Sequence, residues 1–150
     1  MAVITVDILV ENTKRNDVLA WLGEADHHDR ILQGAWDKVE RKSERQWDLG
    51  FRAGPKSRTM GYSFDQLDDS HGGRRCLCTT TGKRTGGKLH YSLRTPRASR
   101  NTLVTLHMDY EPGGLLGRAL NAAGLEEALT QGLNAMLENM RRGIYEDASS

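Results

Sequence analysis

Apolar and polar residues alternate from the start of the chain: Ile4, Val6, Ile8 and Val10 share one parity, Thr5 and Asp7 the other. That two-residue period is the mark of a half-buried strand. Thr13 then stands where an N-cap belongs, ahead of Val18, Leu19, Trp21 and Leu22, with Gly23 as the stop. Asp26, with Asp29 three residues on, predicts a second short helix that carries Ile31 and Leu32 and closes at Gly34. From Ala35 to Glu111 short alternating runs replace any helical period. Breaks at Ser43 to Arg45, Ala53 to Lys56, Asp68 to Gly73, Gly82 to Gly87 and Pro96 to Asn101 divide this stretch into six strands. Turn-rich breaks of that length predict hairpins, and consecutive hairpins make an antiparallel meander.

Parity assigns one face of that meander to apolar side chains: Trp47, Leu49 and Phe51; Met60, Tyr62 and Phe64; Leu89, Tyr91 and Leu93; Val104, Leu106, Met108 and Tyr110. Asp48, Arg52, Ser63, Asp65, His90, Arg94, Thr105, His107 and Asp109 fall on the other face, which suits water. The apolar face needs a cover, and residues 115 to 142 supply one. There Leu116, Leu120, Leu129, Leu133, Met136 and Met140 recur at helical spacing, and Arg141, Arg142 and Gly143 suit a helix end. The pattern therefore predicts a single α+β domain over residues 1–145, followed by a polar tail at 146–150. Its parts are a seven-stranded antiparallel sheet, two short helices after strand 1 and a long C-terminal helix. The strands containing Lys38 and Arg75 have no settled parity, which leaves Lys38, Arg75 and Thr79 open as side chains reaching inside.

Composition narrows the function. The chain has 150 residues, 37% of them hydrophobic and 27% charged, which suits a folded domain rather than a disordered polymer. A net charge of +1 with dispersed Lys and Arg gives no basic field to gather nucleic acid. No run approaches the ~20 apolar residues of a membrane span, so stable membrane insertion is not expected. The opening residues lack a basic segment followed by an apolar run, and a cytoplasmic location is expected. Cys76 and Cys78, two residues apart in a strand, imply no disulfide framework.

The order of elements, with the Ala2 to Glu11 strand, the Asn16 to Leu22 helix and the run Asp109-Tyr110-Glu111-Pro112-Gly113-Gly114-Leu115-Leu116-Gly117-Arg118, resembles the START and polyketide-cyclase-like superfamily, SRPBCC. Its small bacterial members resemble the chain best. The resemblance implies a helix-grip fold, in which the sheet curves around the C-terminal helix and leaves a cavity for a lipid, polyketide or other hydrophobic molecule. The lining it implies is Trp47, Phe51, Met60, Tyr62, Phe64, Tyr91, Leu93, Leu106, Met108, Tyr110, Leu120, Leu129, Leu133 and Met136. The superfamily has no shared catalytic motif, so no catalytic residue carries over. Binding or carriage of a hydrophobic small molecule is the expected function. The alternative is a polyketide cyclase or dehydratase-like enzyme on the same scaffold.

The chemistry-bearing residues offer little else. Met60, Met108, Met136 and Met140 fall inward, where flexible thioethers fit irregular space. Tyr62, Tyr91 and Tyr110 also fall inward, and each hydroxyl needs a partner if buried. Gly82 to Lys88 has the spacing of a phosphate loop, but Leu89 stands where Ser or Thr belongs and a strand follows, so a basic hairpin turn is expected. Asp26-His27-His28-Asp29 reads as a solvated helix start, with His27 or His28 able to touch a ligand's polar end at the cavity mouth. His90 and His107, with Cys76 and Cys78, lack the paired spacing of a zinc site. Neither a metal nor a cofactor is expected.

Overall fold

The computed structural model describes residues 2–70, 74–97, 99–112 and 123–150. Seven strands form one curved antiparallel sheet: β1 (Ala2–Val10), β2 (Lys38–Ser43), β3 (Gln46–Ala53), β4 (Lys56–Asp68), β5 (Arg75–Thr81), β6 (Gly87–Arg94) and β7 (Thr102–Tyr110). Their spatial order is β1-β7-β6-β5-β4-β3-β2, a meander with the first strand returned to its far edge. Two short helices, α1 (Arg15–Leu22) and α2 (Ala25–Leu32), join β1 to β2, and α3 (Ala123–Ala148) packs against α2, β1, β3 and β7. No helix among the described residues is long and apolar enough to cross a membrane.

Register turns strand parity into a concave apolar surface. Ile4 pairs with Met108, Met108 with Leu89, Leu89 with Cys78 and Cys78 with Phe64, so one row of inward side chains crosses five strands. Every residue assigned inward from the sequence on β3, β4, β6 and β7 is buried. On α3, Leu125, Leu129, Leu133, Met136, Leu137, Met140 and Ile144 form the buried stripe. Burying each such side chain contributes about 1.5–3 kcal/mol. Truncating Leu133, which has no solvent exposure, to Ala would cost about 2–5 kcal/mol. Leu116 and Leu120 lie outside the described residues.

Three helix boundaries differ from the sequence expectation. Thr13 does not cap α1; its hydroxyl donates to the Glu11 carbonyl at 3.0 Å, and Lys14 occupies the N-cap. Asp26 sits inside α2, whose N-cap is Glu24. Neither cap position makes a side-chain cap bond, so packing rather than capping fixes these starts. Gly143 does not end α3, which continues to Ala148. A Cβ on Gly143 would come within 2.6 Å of Cζ2 of Trp21, so this glycine admits the indole. The segment expected as a polar tail is thereby anchored: Asp147 accepts from Trp21 Nε1 at 2.9 Å and Arg30 Nη1 at 2.8 Å.

The strands of unsettled parity are now placed. Lys38 is exposed, Arg75 pairs with Asp68, and Thr79 donates to Asp65, all away from the concave face. Cys76, Cys78 and Thr80 face inward instead. The Gly82 to Gly87 segment joins β5 to β6 and leads into a strand, as a phosphate loop does not.

Asn139 ties α3 to the end of α2, its Nδ2 donating to the carbonyls of Ile31 and Gln33, each at 3.0 Å. Those are carbonyls that a helix end leaves without intrahelical partners. Asn139→Ala is expected to lower unfolding free energy in urea by about 1–2 kcal/mol. Asn139→Asp should cost more, because a carboxylate would face two acceptors.

Candidate functional site

The inward parity of β4, β5 and β6 brings Tyr62, Cys76, Cys78 and Tyr91 together, and α2 lowers one more polar group onto them. Ala25, His28, Ile31 and Leu32 are the buried residues of α2, spaced as one helical face, so His28 is carried into the interior with its apolar neighbours. This corrects the expectation of a solvated helix start, because His28 has no solvent exposure. Its ring stacks on Phe64 at 4.3 Å and meets Tyr91 edge-on at 6.0 Å. His27 takes a different place, its ring stacked on Trp21 at 4.1 Å and its Nδ1 donating to the Trp21 carbonyl at 2.6 Å.

The protonation pattern follows from the partners. His28 Nε2 lies 2.7 Å from the Leu22 carbonyl, which can only accept, so Nε2 carries the hydrogen. Nδ1, 2.8 Å from the Tyr62 hydroxyl, accepts from it. With its one hydrogen committed, Tyr62 oxygen accepts from Tyr91 at 2.9 Å and from the Cys78 thiol at 3.3 Å. The chain of donation runs Tyr91 to Tyr62 to His28 to the Leu22 carbonyl. No donor to the Tyr91 oxygen is found among the described residues, so its lone pairs are the open end of this chain.

Burial sets the charge states. Desolvation lowers the His28 pKa to about 4, against the weaker upward pull of the Leu22 carbonyl, so the ring is neutral near pH 7. Desolvation also pushes the Tyr62 and Tyr91 hydroxyls and the Cys76 thiol well up, with the neighbouring Cys78 adding to each. The cluster is an uncharged hydrogen-bonded group inside an apolar interior. It can donate and accept, and it can orient a polar atom. A thiolate nucleophile is disfavoured by the upward shift at Cys76.

Of the residues expected to line a cavity, Trp47, Phe51, Met60, Tyr62, Phe64, Tyr91, Leu93, Leu106, Met108, Tyr110, Leu129, Leu133 and Met136 are all buried in one cluster. Leu120 lies outside the described residues. The outer face carries His90 and His107, their rings stacked at 4.5 Å. The sheet separates them from the inward thiols of Cys76 and Cys78, so these four do not converge. Where α3 meets β3, Ala35, Trp36, Phe51, Ala128 and Gly132 line part of a cleft of about 270 Å³.

No protein-family model matches the chain, and no curated protein matches it in sequence. Solved structures do. A Thermus thermophilus protein has a TM-score of 0.68 at 13% identity, covering 99% of this chain and 100% of its own. A norcoclaurine synthase point mutant of Thalictrum flavum, in complex with a transition-state analogue, has 0.67 at 19% identity over 98% and 96%. The ZhuI aromatase/cyclase of Streptomyces sp. R1128 has 0.59 at 14% identity over 98% and 95%. The chain thus shares the helix-grip fold of these proteins, a curved antiparallel sheet around a long C-terminal helix, and these likenesses are likenesses of fold.

The neutral state of His28 links stability to pH. The unfolded imidazole takes its proton near 6.5, whereas the folded one waits until about 4. Stability from this group is whole above pH 6.5 and is lost as the pH falls toward 4, by roughly 3 kcal/mol across the window. Imidazole ¹⁵N spectra at pH 5 should show His28 neutral with its hydrogen on Nε2. His28→Phe should flatten the fall in urea midpoint between pH 6.5 and 4.5.

Proposed function

We propose that the protein binds a hydrophobic small molecule between the concave face of the sheet and α3. The observation that carries this reading is the open end of the Tyr91–Tyr62–His28 chain, a polar anchor within a largely apolar interior. Ligand sites are commonly apolar with a few convergent polar groups that fix orientation. Met60, Met108, Met136 and Met140 are all buried there, and their unbranched thioethers let the interior repack around a guest. The guest's hydroxyl donates to the Tyr91 oxygen while its apolar body replaces side-chain contacts. In this reading the guest enters by the cleft beside Trp36. The protein acts in this reading as a carrier or sensor, with no nucleic acid and no metal involved.

A second reading, acid–base catalysis of a cyclase type, is favoured by the convergence of imidazole and two phenols, and by fold neighbours that include a synthase and an aromatase/cyclase. The commitment of both His28 nitrogens and its low pKa weigh against a role as general base. Binding is therefore the better-supported function.

Titration with 2-naphthol, followed by its fluorescence, should saturate at one molecule per chain. Tyr91→Phe should weaken that binding about three- to tenfold, the share of one hydrogen bond, and leave naphthalene unaffected. Absence of saturable binding by either compound would sink the reading. Native mass spectrometry of protein purified from its own host should show a retained small molecule.

A further inference from the structure

Three indole N–H groups lie in this chain, and two have carboxylate partners. Trp21 Nε1 donates to Asp147 at 2.9 Å, and Trp47 Nε1 donates to Asp29 at 3.0 Å. Trp36 differs. Its side chain is buried, with 5% exposure, and its Nε1 has no hydrogen-bond partner, a condition shared among the described residues only by Arg58 Nε. A buried donor left without an acceptor is uncommon and costly. Asp37 is its neighbour in sequence and lines the same cleft, yet does not serve it.

The surroundings hold the indole in this position. Phe51 meets the ring edge-on at 5.3 Å, and Gly132 of α3 lies against its benzo edge, where a Cβ would overlap ring carbons. A helix-interior glycine is itself unfavourable relative to Ala, so two local costs are kept at one point. That point is the cleft between β3 and α3.

We infer that Trp36 is a specificity-determining contact whose indole N–H donates to an acceptor oxygen of the bound molecule. This deepens the binding reading above and rests on it. The ligand class narrows to apolar molecules that carry a carbonyl or equivalent acceptor, with pure hydrocarbons disfavoured. A hydrocarbon would leave the N–H unmatched, whereas a carbonyl oxygen supplies the partner that the chain withholds.

The test uses the full chain labelled with ¹⁵N-tryptophan and two matched probes, 2-acetylnaphthalene and 2-ethylnaphthalene, which share an apolar body and differ in the acceptor. Trp36→Phe identifies the Trp36 indole cross-peak by its loss. In the wild-type protein the Trp36 peak should move downfield with the acetyl compound and stay near its free position with the ethyl compound. Trp36→Phe should weaken the acetyl compound about three- to tenfold and leave the ethyl compound unchanged. Saturable binding of both probes with an unmoved Trp36 peak overturns the inference while sparing the binding reading. Binding of neither probe overturns the binding reading and this inference with it. The wild-type spectra stand even if the variant folds poorly.

Discussion

The molecule turns on the desolvation of one imidazole. His28 is placed by α2 beneath β4, β5 and β6, where it is neutral and bonded on both nitrogens, to the Leu22 carbonyl and the Tyr62 hydroxyl. Leu22 is the last residue of α1, so the ring joins the end of one short helix to the middle of the sheet through the other. A charged imidazole there would need water or a counter-ion, and burial among Phe64, Trp47 and the tyrosines offers neither. Neutrality of His28 is thus the condition under which the short helices can close on the sheet.

The same condition orders the interior polar groups. Once the His28 tautomer is fixed by a carbonyl, the hydrogens of Tyr62, Tyr91 and Cys78 have defined directions, and Tyr91 is left with lone pairs that no donor among the described residues claims. Tyr91 is satisfied as a donor and keeps room to accept. The N–H of Trp36, near Phe51, has no partner among the described residues. Tyr91 thus keeps spare acceptance and Trp36 a spare donor within one apolar core that also holds the buried methionines.

Anchoring of α3 follows a different logic. Its buried stripe is apolar, while Asn139 and Asp147 bind it to α1 and α2 through carbonyls, an indole and a guanidinium. The glycines at 132 and 143 serve close approach of Trp36 and Trp21. In sequence Gly143 reads as a terminator, because glycine has the same identity whether it ends a helix or makes room for a ring.

What the sequence determined by itself was periodic. The alternation in β1, β3, β4, β6 and β7 and the spacing of Leu129, Leu133, Met136 and Met140 fixed the element order, the inward face and the helix that covers it, because burial must follow the pleat and the helical turn. The inward tyrosines were legible for the same reason. His28 was within reach, since Ala25, Ile31 and Leu32 mark its face, but a polar run of Asp26 to Asp29 hides a three-residue spacing. Only the tertiary structure could decide that His28, Tyr62, Tyr91 and Cys78 meet, because they come from four elements whose side chains converge through curvature and register rather than through neighbourhood in the chain. The isolation of Trp36 was equally out of reach: a missing partner is a property of everything packed around an atom, and no local pattern records it.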